Sequence, residues 1–302
     1  MAAANMKAVK LRIKSVQNTM QITKAMQLVA ASKLRKAKEK ADSSKPYLQT
    51  MRETLTTIAN ENTDFQSPYT RAGANEKWLY IVIAGDRGLA GGYNANLFKF
   101  MEAEVVRTEG EGYAVLPIGK KSVEYFQRRK TEIFTEEYAE VAKVTISDCY
   151  RIAKAVCDAY RNGDFGHVAL CYTNFVSMMS QVPGSSALLP LSDFSAFASS
   201  MEEARTRAAQ DGAGSGSRGL ILYEPASEEV FNTIVPEYLA GILYTSINVS
   251  VASELAARRT AMEAATDNAS EMIEKLNLFY NRARQASITQ EITEIVAGAE
   301  GT

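Results

Sequence analysis

The stretch Gly85–Gly92 (GDRGLAGG) is the strongest candidate for chemistry, because it follows an apolar run and precedes a helical pattern. A glycine-rich turn between a strand and a helix is where a dinucleotide places its pyrophosphate. The glycines lack the GxGxxG spacing, however, and the next strand leads into Pro117–Lys121 (PIGKK), without the acidic residue that binds a ribose hydroxyl. We therefore predict a tight structural turn, with a nucleotide site as the alternative.

Other side chains suited to catalysis or metal binding are few. The one histidine, His167, lies at the start of a predicted strand, and the sequence has no GxSxG motif, so nucleophilic catalysis is poorly supported. Cys149, Cys157 and Cys171 form no CxxC pair and lie in predicted helices or strands, which is typical of buried, reduced thiols in a cytosolic protein. We predict no catalytic residue, no cofactor and no metal.

The segments around the glycine turn alternate between strand and helix patterns. This alternation predicts a mostly parallel, Rossmann-like sheet in a domain spanning residues 75–225. The predicted strands are Trp78–Ala84, Ala114–Ile118, Val168–Tyr172 and Gly219–Tyr223, with further extended segments at Phe175–Val182 and Leu188–Leu191. The predicted helices are Ala95–Val106, Ser122–Arg129 and Ile146–Tyr160.

Both ends of the chain carry apolar residues at alternating steps of three and four, which is the coiled-coil period. Neither seam has a partner nearby in sequence, so we predict that they pair as a long antiparallel coiled coil formed by residues 1–60 and 227–299. Pro46 is expected to kink the first helix without ending it, because the seam stays in phase across it. The first seam comprises Ile13, Val16, Met20, Thr23, Gln27, Ala30, Leu34, Ala37, Ala41, Ser44, Leu48, Met51, Leu55 and Ile58. The second comprises Leu255, Arg258, Met262, Ala265, Ala269, Met272, Leu276, Phe279, Ala283, Ala286 and Gln290.

The net charge of −1 conceals a basic N-terminal segment, because residues 1–45 contain eleven Lys or Arg against Glu39 and Asp42. Such a helix is typical of binding to an acidic surface, although a solvated helix face is the alternative. Residues 1–45 contain no aromatic side chain to stack on bases, which argues against a coiled-coil nucleic-acid binder. No run approaches eighteen apolar residues, so no membrane span is expected.

The C-terminal tip, Ala286–Ala297, moves its apolar stripe to Ile288, Ile292 and Ile295, away from the seam. A helix tip that is apolar on a new face needs a second surface to bury it. Arg282, Arg284 and Gln285 place hydrogen-bond donors just before this tip. We therefore predict a contact with a partner at this end of the helix.

Several motifs closely resemble the gamma subunits of F-type rotary ATP synthases, over nearly the whole chain. They are Val16–Lys33 (VQNTMQITKAMQLVAASK), Asp86–Asn94 (DRGLAGGYN), Met179–Pro183 (MSQVP), Ala265–Ala269 (ATDNA) and Tyr280–Ala299 (YNRARQASITQEITEIVAGA). The resemblance implies a long antiparallel coiled coil of the terminal helices with an inserted Rossmann-like α/β domain, which binds no nucleotide. The segment Phe197–Arg218 departs from the family in length and composition.

The resemblance also implies a non-catalytic rotor shaft that couples proton flow through a membrane c-ring to ATP synthesis or hydrolysis in a ring of alpha and beta subunits. The epsilon subunit is a further implied partner, and the expected location is the cytoplasmic face of a bacterial plasma membrane. The implied contacts to the ring are Met26, Lys33, Arg35, Arg284, Gln285 and Thr289, with a C-terminal bearing of Ile288, Ile292, Ile295 and Val296. The implied contacts to the c-ring and epsilon are Tyr223 and Glu224. The rival interpretation is an α/β nucleotide-binding enzyme with helical dimerisation arms.

Overall fold

A computed structural model describes residues 2–60, 66–71, 73, 75–108, 112–191 and 223–300 of the 302-residue chain. The chain divides into two compact units. The helix-pair unit comprises Met1–Lys33, Leu89–Gly91 and Leu255–Thr302, and the sheet unit comprises Leu34–Gly88 and Gly92–Glu254. Both terminal helices, α1 (Ala2–Asn60) and α5 (Ser227–Glu300), contribute residues to each unit.

The sheet has five strands in the order β3-β2-β1-β4-β5. Neighbouring strands are parallel except for β5, which is antiparallel to β4. The central strand β1 has the sequence WLYIVI and is almost wholly buried, as expected for a parallel strand covered on both faces. The strands are β1 (Trp78–Ile83), β2 (Tyr113–Ile118), β3 (Glu132–Ile133), β4 (His167–Phe175) and β5 (Gln181–Leu189).

The mostly parallel sheet is confirmed, and the differences lie at its edges. The predicted segment Phe175–Val182 spans the end of β4, a turn and the start of β5, and the predicted segment Leu188–Leu191 overlaps the end of β5. The polar β5 sequence QVPGSSALL includes Pro183 and Gly184, which are tolerated on an edge strand but hide the strand pattern. The two-residue strand β3 is too short to leave a periodic signal.

The shorter helices lie close to their predicted positions: α2 (Tyr93–Arg107), α3 (Lys120–Arg129) and α4 (Ile146–Arg161). Helix α4 begins at a capping box, in which the Thr145 side chain accepts from the Asp148 N–H and the Asp148 carboxylate accepts from the Thr145 N–H. Its buried side chains include Ile152, Val156 and Tyr160, at the spacing of one helix face.

The two faces of the sheet are covered by different elements. Side chains of α2 and α3, including Leu97, Met101 and Phe126, pack on one face. The larger cluster on the other face combines α4 with residues from both terminal helices. Those residues are Leu55 and Ile58 of α1 and Phe231, Val235, Leu239, Ala240, Leu243 and Ile247 of α5.

Direct contacts confirm that the terminal helices pair. In the sheet unit, Thr245 donates a hydrogen bond of 2.8 Å to Ser44, and a Cβ added at Gly241 would lie 2.7 Å from Leu48. Four residues forward on α1 thus correspond to four residues backward on α5, which defines an antiparallel pair. In the helix-pair unit, the hydroxyl oxygens of Thr23 and Thr266 lie 2.8 Å apart.

The first seam is confirmed, since each of its positions from Ile13 to Ile58 is buried or half-buried. Pro46 lies inside the continuous helix α1, as predicted.

The second seam is correct at seven of its eleven positions, which are buried or half-buried, and wrong at four. Leu255, Met262 and Ala269 are buried, but the predicted positions Met272 and Phe279 are 44% and 50% exposed, and Ala286 and Gln290 are also exposed. The following residues are protected from solvent instead: Ile273 and Tyr280 are half-buried, and Ser287 is buried. From Met272 onward, every second seam residue of α5 is therefore one position later in the chain than predicted. Adjacent apolar pairs such as Met272–Ile273 fit either choice, so only the partner helix decides between them.

By length and composition alone, α5 includes a stretch that is long and apolar enough to cross a membrane. Of that stretch, 61% is buried inside the protein. The core helix of a soluble protein passes the same test of length and composition, so the stretch is weak evidence for a membrane span. The segment Phe197–Arg218 and residues 219–222 of the predicted strand Gly219–Tyr223 lie outside the described residues.

Candidate functional site

The glycine turn after β1 is held by the side chain of Asp86. Its Oδ1 atom accepts hydrogen bonds from the backbone N–H groups of Lys120 (3.2 Å) and Val141 (2.9 Å). Its Oδ2 atom accepts from the N–H of Ala142 at 3.2 Å. The carboxylate thus joins the start of α3 to a short 3₁₀ helix, Val141–Lys143. A protein carboxylate here satisfies backbone donors of the kind that bind phosphate in nucleotide sites.

The crevice where this fold class binds ligands is filled by α5. Ligands of open α/β sheets bind at the carboxyl ends of the strands where the strand order reverses, which here is between β1 and β4. The space left is a cavity of about 10 Å³ lined by Gly85, Tyr93, Val141, Val251 and Glu254, together with Ile83, Ala84 and Ser250. Ligand pockets usually measure about 300–1,000 Å³. This geometry favours the structural turn over a nucleotide site.

A buried hydroxyl pair closes the crevice from the α5 side. The Tyr93 hydroxyl lies 2.7 Å from Ser250 Oγ and donates to the Ser250 carbonyl oxygen at 3.1 Å. Burial raises the pKa of Tyr93 well above its ordinary value. Because α5 is tied to the first turn of α2 in this way, a ligand could enter only by displacing a core helix.

The remaining candidates for chemistry have structural surroundings. The His167 ring stacks on Trp78 with 4.5 Å between ring centroids, at the first residue of β4. All three cysteines are buried free thiols, as predicted, and burial raises the pKa of each to about 12. Among the residues that the structure describes, no group of three or more His, Cys, Asp or Glu could hold a metal ion.

The predicted contact residues of the C-terminal tip lie on the surface of the helix-pair unit. Ile288, Ile292, Ile295 and Val296 are 48%, 56%, 71% and 51% exposed, which is high for large apolar side chains. Arg284, Gln285 and Thr289 are exposed as well, and the Thr289 hydroxyl donates to the Gln285 carbonyl at 3.0 Å. The structure therefore places an apolar stripe beside a group of polar side chains on the same helix end.

The predicted contacts on α1 differ from one another in exposure. Met26 is half-buried, whereas Lys33 is exposed in the helix-pair unit. Arg35 is exposed in the sheet unit, and its Nε atom lies 4.0 Å from Glu39. All eleven basic side chains of residues 7–45 are exposed, so the basic character predicted for this helix is presented to its surroundings.

Sequence reasoning missed a second apolar surface, on the outside of α1. Leu11, Ile22, Leu28 and Val29 are each more than half exposed. Ile22, Met26 and Val29 follow the i, i+4, i+7 spacing of one helix face, off the seam. The signal was present in the sequence, because these apolar residues interrupt an otherwise polar outer face.

The two predicted foot residues have unequal environments. Tyr223 is half-buried against the larger core cluster of the sheet unit, whereas Glu224 is exposed.

Comparison with known proteins decides the family. The ATP synthase gamma chain of Ruminococcus albus is 47% identical over 97% of this chain and 96% of its own length. The chain belongs to the ATP synthase gamma chain family. A family model described as ATP synthase matches residues 5–301. A sodium ion specific ATP synthase gamma chain from Acetobacterium woodii is 38% identical over 99% of both chains.

Solved structures agree on the fold. A chain of the rotor of the Euglena gracilis mitochondrial ATP synthase is similar with a TM-score of 0.60 at 18% identity, covering 95% of this chain and 99% of that chain. A chain of the central stalk and c-ring of the Tetrahymena thermophila enzyme has a TM-score of 0.54 at 24% identity, covering 81% and 99%. The fold of long terminal helices with a central α/β sheet is therefore shared with these chains.

Proposed function

We propose that this chain is the central rotor shaft of an F-type ATP synthase, which couples proton flow through a membrane c-ring to ATP synthesis or hydrolysis in an alpha/beta ring. Membership of the gamma chain family supports the assignment. The observation that carries it is the surface of the helix-pair unit, where large apolar side chains of both α1 and α5 are exposed. Such a surface needs partners on several sides, as a shaft inside a ring requires.

The chain is non-catalytic in this proposal, and the chemistry belongs to the ring. The filled crevice after β1 supports this, since the fold's usual ligand site is taken by α5 and Asp86. The proposed partners are the alpha and beta subunits, the epsilon subunit and the membrane c-ring. The proposed location is peripheral, at the cytoplasmic face of the plasma membrane.

We divide the chain for this function into a helix at 1–60, an α/β domain at 75–225 and a helix at 227–299. Met26, Lys33, Arg35, Arg284, Gln285 and Thr289 are the proposed contacts to the ring. Ile288, Ile292, Ile295 and Val296 are the proposed C-terminal bearing, and Tyr223 and Glu224 are the proposed contacts to the c-ring and epsilon.

Co-purification tests the assignment directly. The full chain, expressed with the alpha and beta subunits of the same organism, is expected to purify with them in a fixed stoichiometric complex that hydrolyses ATP. The chain alone is expected to bind neither ATP, ADP nor NAD in calorimetric titrations. Micromolar nucleotide binding by the chain alone, without assembly, would instead support an α/β enzyme.

A further inference from the structure

Two pairs of hydroxyl side chains link α1 to α5. Thr23 and Thr266 lie 2.8 Å apart in the helix-pair unit, and Thr245 donates to Ser44 over 2.8 Å in the sheet unit. Along each helix the two hydroxyl positions are separated by 21 residues, which is three heptads. Both pairs therefore occupy equivalent seam positions of the coiled-coil repeat.

The Thr23–Thr266 pair forms a continuous hydrogen-bond chain across the seam. Thr23 Oγ1 lies 3.0 Å from the Met20 carbonyl oxygen, and Thr266 Oγ1 lies 2.8 Å from the Met262 carbonyl oxygen. Each hydroxyl has a single proton, so one threonine donates to the other, which then donates to its own helix. Whichever threonine donates to the other, both hydroxyl protons form a hydrogen bond. The contact is mostly sheltered from water, since Thr23 is only 8% exposed.

The seam around this pair combines the long, flexible side chains of Met20, Gln27 and Met262 with several alanines, so it defines the position of one helix along the other only weakly. Ala30 and Ala269 are buried seam residues, and Ala265 is half-buried. Alanine side chains are short and alike, so a shift by one turn replaces one shallow contact with a similar one. A polar pair is different, because its hydrogen bond forms in only one register.

We propose that Thr23 and Thr266 are positioning residues that fix the axial register of the helix pair. Ser44 and Thr245 would do the same within the sheet unit. The fixed register keeps the exposed apolar faces of α1 and α5 in a constant relation within the helix-pair unit. The proposal rests on the proposed function. A rotor shaft keeps a constant surface toward its ring only if its two helices do not slide along each other.

Disulfide formation in the full chain measures this register. Met20 and Ala269 lie three residues from Thr23 and Thr266 in opposite directions, so Met20→Cys with Ala269→Cys is the in-register pair. Met20→Cys with Ile273→Cys is displaced by one helix turn. The native cysteines are buried and do not compete. We expect the in-register pair to oxidise faster in the otherwise unchanged chain.

Adding Thr23→Val and Thr266→Val should lower the ratio of the two oxidation rates at least about threefold, as loss of one net hydrogen bond predicts. Valine keeps the branched shape, so the helices themselves are little changed. Thr23→Ser with Thr266→Ser should retain the original ratio. Thr19→Val is the matched control, because the exposed Thr19 hydroxyl bonds only to Ser15 of its own helix among the described residues.

An unchanged ratio in the double valine variant, with cooperative unfolding retained, overturns the proposal. If the double variant does not fold, each single valine variant serves, since the remaining hydroxyl can still bond its own helix. In the assembled complex, the double valine variant should pump fewer protons per ATP hydrolysed than the Thr19→Val control. Unchanged pumping would overturn the role in coupling, whereas failure of the unaltered chain to assemble would count against the proposed function alone.

Discussion

Gly119 occupies a backbone position that excludes any side chain. Its φ is +97°, and an added Cβ would lie 2.2 Å from the carbonyl oxygen of Ala84, the residue after β1. Gly119→Ala should therefore lower the free energy of unfolding by more than about 1 kcal/mol. Urea denaturation compares it with Gly88→Ala, where an added Cβ meets nothing within 4 Å. Equal stability of the two variants would contradict this account of the turn.

Asp148 predicts a specific loss of stability in acid. Its hydrogen bonds from Thr145, together with Arg151, lower its pKa from 3.8 to about 2. The folded-state pKa is lower than the unfolded one, so the charged carboxylate stabilises the fold above about pH 4. This stabilisation should be lost as the pH falls from about 4 to about 2.

Urea unfolding of the unaltered chain and Asp148→Asn at a series of pH values measures this contribution. The difference in unfolding free energy should stay constant above pH 5 and shrink below pH 4. Asp158→Asn, which alters a carboxylate paired with Arg161 near the other end of α4, is the control. A difference that does not depend on pH would exclude a role for the Asp148 charge.

The turn after β1 could be predicted from the sequence, but the role of Asp86 could not. The off-pattern glycines and the missing ribose-binding acid sufficed to favour a structural turn. The backbone N–H groups that donate hydrogen bonds to Asp86 belong to residues 34, 55 and 56 positions further along the chain. Nothing in the local sequence indicates that these segments meet, because the fold alone brings them together.

The C-terminal end of α5 should be needed for assembly and not for folding. Replacing Ile288, Ile292 and Ile295 together with serine removes exposed apolar surface while leaving the buried seam intact. The isolated variant should keep its circular dichroism spectrum, but its yield in complex with alpha and beta subunits should fall several-fold. Val106→Ser, which changes a 77% exposed valine on α2, is the control. Normal assembly of the triple variant would refute the bearing assignment.

Helix pairing was predictable at the level of elements, and its fine register was not. The period of 3.5 identified both seams and the correct face of α1. On α5 the pairs Met272–Ile273 and Phe279–Tyr280 offer two adjacent apolar residues for one seam position. Which member turns inward depends on the side chains of the facing helix, so no inspection of α5 alone could choose between them.

At the scale of the whole molecule, the proposed shaft predicts that coupling can fail while hydrolysis continues. Met26 is half-buried on a helix already rich in positive charge. Met26→Lys adds a cation that could bind an acidic loop of a beta subunit, stabilising one rotational state by about 1–3 kcal/mol. ATP hydrolysis should continue while proton pumping per ATP falls, as measured in reconstituted vesicles.

The C-terminal part of α5, in the same helix-pair unit, should behave in a similar way. Arg284→Ala with Gln285→Ala removes exposed donors that are proposed to contact the ring, and should also lower pumping relative to hydrolysis. Lys154→Ala, at an exposed position of α4, is the matched control. Pumping that stays proportional to hydrolysis in both variants would disprove these contact sites, even though the family membership stands.

The larger core of the sheet unit has a consequence for biosynthesis. One face of the sheet is covered by Leu55 and Ile58 from the beginning of the chain and by Phe231–Ile247 from near its end. All five strands, the last of which ends at Leu189, are translated before residue 231. During that interval an apolar sheet face lacks its final cover, which is the kind of surface that aggregates or binds chaperones. The sheet unit therefore completes its larger core only after residues 231–247 have been translated.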